Sequence, residues 1–115
     1  MSDCVQNHLA IASLSALDED LLTLINGKEL YGLQIIASVK EISRGKRQIS
    51  PGSLYPTLKR LEDKGLIAGV WGSEPVTGGA RRKYYQVTDV GGETLKATQD
   101  YRARLAKYCP LANSQ

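Results

Sequence analysis

The chain has 115 residues, room for one domain with a buried core and too little for two ordinary ones. Its 42% apolar and 23% charged residues argue against disorder throughout, and no apolar run approaches the roughly 20 residues that cross a bilayer. The net charge of +3 is unevenly placed: five acids face one lysine in residues 1–30, whereas six bases face two acids between Arg44 and Lys64, as a nucleic-acid footprint requires.

The opening MSDCVQNH has no basic segment followed by an apolar one, so a cytoplasmic protein with no membrane partner is expected. Cys4 and Cys109 lie near opposite ends without CxxC spacing, beside a single histidine, His8. Two free thiols are expected, with no metal site and no cofactor. Residues 1–14 read as an N-terminal arm or a short amphipathic helix over residues 5–12, with Val5, Leu9 and Ala12 at helical spacing. Eight residues are marginal alone, so this segment needs a surface to pack on.

Ser13 or Ser15 can cap the next helix, which carries Leu17, Leu21, Leu24 and Ile25, with Asp18, Glu19 and Asp20 favouring the dipole of its first turn. Gly27 ends it. A further helix is predicted from about Leu30 to Ser43, where Leu33, Ile36 and Ala37 run beside a second row of Ile35, Val39 and Ile42. So broad an apolar arc predicts a largely buried helix. The basic loop SRGKRQI follows and looks solvated.

The stretch SPGSLYPTLKRLEDK, residues 50–64, combines turn residues with an amphipathic pattern. With Ser50 as N-cap and Pro51 first in the helix, the missing proline N–H is one that a helix start leaves unbonded anyway. Leu54, Leu58 and Leu61 then share one face, and Gly52, Pro56, Lys59, Arg60 and Asp63 gather opposite. Pro56 would remove the bond to the Gly52 carbonyl; Gly52, lacking the side chain that would crowd the ring, explains its tolerance. Local chemistry also leaves open a helix that begins at Pro56. In either register Lys59 and Arg60 stand beside Ser53, Tyr55 and Thr57, with Arg60 suited to a bidentate guanine contact and Lys59 to a phosphate. Surface charges on a solvated helix would look the same.

LIAGVWG (66–72) and RKYYQVT (82–88) read as the strands of a hairpin with a long tip. Arg81, Arg82 and Lys83 follow Gly78 and Gly79, and three adjacent bases on such a tip can follow a phosphate backbone or enter a minor groove. Thr88 or Asp89 can cap a last helix reaching Tyr108 before Pro110, although Gly91 and Gly92 weaken its first turn.

The segments YGLQI (31–35), ISPGSLYPTLKRLEDKGLI (49–67) and GARRKYYQVTDVG (79–91), with their spacing, closely resemble the PadR family of bacterial winged helix-turn-helix regulators. The resemblance runs from about Leu17 to Leu95. It implies a mainly α fold with a small two-stranded β wing, a winged helix domain over residues 15–88, a C-terminal dimerisation helix over 89–109 and a tail over 110–115. The helix near Pro51 would be the recognition helix (51–64) and the hairpin the wing (72–83). Members of the family act as homodimers on palindromic operators, commonly as repressors. On this chain the resemblance makes Ser53, Tyr55, Lys59, Arg60, Arg81, Arg82 and Lys83 the expected contacts to double-stranded DNA.

The last helix carries a sparse apolar stripe, Leu95, Thr98, Tyr101 or Arg102, Leu105 and Tyr108, which with Leu9 forms the expected dimerisation surface; packing back on its own domain is the competing reading. Some relatives resemble drug sensors whose small-molecule effector sits among aromatics of the dimerisation helices, often Trp. The only tryptophan here, Trp71, falls on the hairpin, where it is expected to pack the wing against the body. Glycine fingerprints for nucleotides and acid pairs in a recognisable setting are absent, so no catalysis is expected. The competing reading is a winged-helix protein-interaction module that no longer binds DNA; retention of both basic clusters speaks against it.

Overall fold

The computed structural model describes residues 14–73 and 81–111. The expected helix over 5–12, with Leu9, lies outside them, as does most of the hairpin tip. Along the described chain run helix α1 (Ala16–Ile25), strand β1 (Leu30–Tyr31), helices α2 (Gly32–Ile42) and α3 (Pro51–Asp63), strands β2 (Ile67–Trp71) and β3 (Lys83–Val87), and helix α4 (Asp89–Lys107).

Three of the four described helices start where the sequence supplies a side-chain cap, at Ser15, Ser50 and Thr88. Ser15 accepts from the Asp18 N–H while Asp18 accepts from the Ser15 N–H, a reciprocal capping box on α1. Ser50 accepts from the Ser53 N–H at 3.2 Å with Pro51 in the first turn of α3, so the early register is the one adopted and Pro56 lies inside the helix. The reason expected for its tolerance does not hold: a Cβ at Gly52 would meet only the Ser50 hydroxyl, at 3.8 Å. Gly52 is exposed, and water at an exposed helix start can replace the bond that Pro56 cannot donate, which limits the cost of the proline.

Two expectations about the second helix need correction. Leu30 and Tyr31 are extended and pair with Tyr85 and Tyr84 of β3, making a three-stranded antiparallel sheet of order β1-β3-β2 where a two-stranded hairpin was expected. The pairing satisfies backbone groups on β3 that a lone hairpin would leave open, and the Tyr31 and Tyr84 rings meet edge to face at 5.5 Å. Nor is α2 largely buried. Gly32 and Ile35 are its buried residues, while Leu33 and Ile42 are 65% and 71% exposed.

The core gathers Leu21, Leu22 and Ile25 of α1, Ile35, the three leucines of α3, Leu66, Ile67, Tyr85 and Leu95. Thr88 bolts the last helix to this core: its N–H donates to the Leu66 carbonyl and its hydroxyl to the Gly65 carbonyl, while it caps α4 by accepting from Gly91 N–H. Gly91 was expected to weaken that turn, yet it is buried against the Leu66 carbonyl, where a Cβ would overlap it. Beyond Thr98 the helix leaves the core, and residues 99–107 are exposed along its length, with Arg102 Nε bonded back to Glu19 at 2.8 Å.

Candidate nucleic-acid interface

Burial of Leu54, Leu58 and Leu61 fixes which side of α3 faces outward. Ser53, Tyr55, Lys59 and Arg60 are exposed, as expected. Thr57 is not presented: it is buried, and its hydroxyl donates to the Ser53 carbonyl at 2.9 Å. The outward residues then divide by helical angle. Tyr55, Lys59 and Glu62 follow one another at spacings of four and three, hence along one row, and Arg60 is turned away from that row toward α1.

Along the first row lies the root of the hairpin. Tyr55 shares a cleft with Arg81, Arg82 and Lys83, with Tyr31 and Leu33 from β1 and α2 on its other wall. The helix and the basic strand therefore border one surface, with Lys59 one turn beyond Tyr55. Arg82 stacks with its guanidinium carbon 4.3 Å from the centre of the Tyr31 ring, which holds an otherwise loose cation over the cleft. Lys83 reaches Glu62 Oε1 at 3.1 Å. Burial pushes the Tyr85 phenol above its ordinary pKa, against the pull of Lys83 beside it, so this ring is a neutral wall of the cleft.

Trp71 corrects the expectation that it packs the wing on the body. It ends β2, is 57% exposed and lines the same cleft. Sequence reasoning also passed over Lys46 and Arg47, which flank Ser53 in a hollow at the start of α3, Arg47 lying 3.6 Å from Asp20. Their signal was present in the charge excess of residues 44–64; reading SRGKRQI as mere solvated loop discarded it.

On the α1 side, Arg60 Nη2 lies 2.6 Å from Asp18 Oδ1, and that carboxylate is 2% exposed. Arg60 is half exposed, so one end of its guanidinium is anchored while the rest stays accessible. Its truncation strands a carboxylate that, among the described residues, keeps only the Ser15 N–H. Arg60→Ala is expected to cost about 2 kcal/mol, less than a fully buried pair because water reaches the arginine, as read by urea denaturation; Lys59→Ala, whose exposed partner Asp63 needs no replacement, is expected to cost about 0.5 kcal/mol or less.

The expected dimerisation residues also divide. Tyr101, Leu105 and Tyr108 are exposed, whereas Leu95 is buried in this chain's own core, because the first half of α4 packs on α1. The available stripe therefore begins at Tyr101.

A helical core with a small antiparallel sheet, one amphipathic helix outward and a basic strand beside it, is the architecture of a winged helix domain. The chain belongs to the PadR-like family of transcriptional regulators, whose family model matches residues 21–97. It is 42% identical over 64 residues to the transcriptional regulator Rv3488 of Mycobacterium tuberculosis, covering 56% of this chain and 55% of that protein. The crystal structure of a PadR family transcriptional regulator from Eggerthella lenta superposes with a TM-score of 0.68 at 27% identity, over 91% of this chain and 88% of the other. The circadian clock associated protein Pex from Anabaena is 23% identical with a TM-score of 0.58, covering 88% of this chain and 80% of its own, a likeness of fold that lends this chain no clock role.

Proposed function

We propose that this chain represses transcription by binding a palindromic operator as a homodimer, with α3 in the major groove and the hairpin as a wing along the backbone. The observation that carries this reading is the shared cleft of Tyr55 with Arg81 and Arg82, which lets one duplex meet helix and strand together. Lys59, Arg81 and Arg82 are assigned to phosphates, and Ser53 and Tyr55 to phosphates or base edges. Arg60, oriented by Asp18 at one nitrogen, is assigned to a base, because an anchored fork loses less freedom when it pairs with guanine. Tyr101, Leu105 and Tyr108, exposed on the projecting half of α4, are assigned to the contact between copies. The two recognition helices of the dimer would then stand about 34 Å apart, one duplex turn, or a multiple of it.

The test is selection of bound fragments from genomic DNA, followed by gel shifts on the recovered site and on random duplex. The site is expected to bind at least about 10³-fold tighter, and Arg60→Lys, which keeps a cation for Asp18 but loses the fork, is expected to relax that preference. Equal retention of all duplexes, or of none, would defeat the reading. Sedimentation at micromolar concentration should give a dimer; a monomer at every concentration would remove the palindrome from the proposal.

A further inference from the structure

Lys83 stands in the basic strand, but its ammonium group points back to the protein. Glu62 Oε1 holds Nζ at 3.1 Å, and the Trp71 and Tyr85 ring centres lie 5.8 and 5.5 Å from it. The stem of the side chain crosses Gly69, where an added Cβ would run into Lys83 Cε and stand 3.1 Å from Glu62 Oε2. Lys83 and Glu62 are each about one-third exposed or less, unlike the exposed pair of Lys59 and Asp63 one turn away. Glu62 is also misplaced on simple grounds: a carboxylate near the C-terminal end of α3 opposes the helix dipole and, on the row of Tyr55 and Lys59, would repel a phosphate backbone. Its place makes sense if it serves the strand.

We propose that Glu62 and Lys83 are positioning residues that set the wing against the recognition helix, and that Lys83 does not contact DNA. The proposal rests on the DNA-binding reading and narrows it: the phosphate contacts of the wing fall to Arg81 and Arg82. Sequence proximity grouped the three bases, but they part in space: Lys83, first in β3, shares a strand face with Tyr85 and reaches Glu62, whereas Arg82, just before the strand, stacks on Tyr31.

The two roles predict opposite signs for Glu62→Gln. If Lys83 is a phosphate-binding cation that Glu62 merely withholds, removing the carboxylate frees it, so binding strengthens and the salt dependence steepens by up to about 0.9 per copy. If the pair positions the wing, affinity for the recovered site falls about tenfold, random duplex is held nearly as before, and the salt slope does not move. Lys83→Met is expected to repeat the Glu62→Gln result, and the exchanged pair Glu62→Lys with Lys83→Glu to recover most of the affinity. A rise in affinity, a changed slope in either single variant, or a swapped pair no better than the singles would overturn the proposal. A readout without DNA separates its failure from failure of the functional reading. Trp71 is the chain's only tryptophan, and its emission in the free protein is expected to change in Glu62→Gln as the ammonium leaves the ring. Unchanged emission rejects the lock even if the protein binds no duplex at all, and changed emission supports it in that case.

Discussion

Gly91→Ala is expected to lower the melting temperature by about 10–20 °C, whereas Gly92→Ala, one residue further, is expected to raise it by a few degrees. Both glycines lie in the first turn of α4, and neither has a positive φ, so alanine fits the backbone at each. They differ in what a methyl group would meet. At position 92 nothing lies within 4 Å, and the substitution removes the conformational freedom of glycine from the unfolded chain, worth up to about 1 kcal/mol. At position 91 the methyl would overlap the Leu66 carbonyl, with Val87 Cγ1 at 2.9 Å. A backbone carbonyl cannot swing aside as a side chain does, least of all one that accepts from the Thr88 N–H at 3.1 Å. Relief requires α4 to lift off the turn between α3 and β2, at a cost of about 2–3 kcal/mol out of a total stability of only about 5–15. Equal melting temperatures for Gly91→Ala and the unmodified chain would mean that α4 does not press on Leu66 in solution.

That contact also marks what could be read from sequence and what could not. Local signals carried well: Ser50 and Pro51 placed the start of α3, and the spacing of Leu54, Leu58 and Leu61 placed its buried face, because both depend on neighbours within a turn. Strand β1 has two residues and no periodicity; it exists only because Tyr84 and Tyr85 arrive from across the chain. Leu95 looked like part of the stripe with Tyr101 and Leu105, and only the docking of α4 on α1 decides that it belongs to the core. Charge was legible as an amount but not as an engagement. Asp18 and Arg60 are 42 residues apart, and Glu62 and Lys83 are 21 apart, so neither ion pair follows from a helical repeat. Gly91 misled for a related reason, since propensity counts the cost of a glycine in a helix and cannot see the carbonyl that requires it.

Binding to the recovered operator is expected to weaken about 10³-fold between 50 and 200 mM salt, with a log–log slope near −5. The figure follows from which cations are spoken for. With Lys83 held by Glu62 and Arg60 assigned to a base, each copy of the proposed dimer would offer Lys59, Arg81 and Arg82 to the backbone, so two copies would neutralise about six phosphates at about −0.9 each. Lys46 and Arg47, flanking Ser53, supply the margin: if both join, ten phosphates are neutralised and the loss approaches 10⁵-fold. Lys59→Ala should flatten the slope by about 2 for the dimer and weaken all duplexes alike, since its exposed pairing with Asp63 competes poorly with a phosphate. Arg60→Lys should leave the slope in place while preference among sequences declines, because charge is conserved and only the fork is lost. Affinity indifferent to salt would mean that these bases do not face a polyanion, and the shared surface of α3 and β3 would then need a different partner.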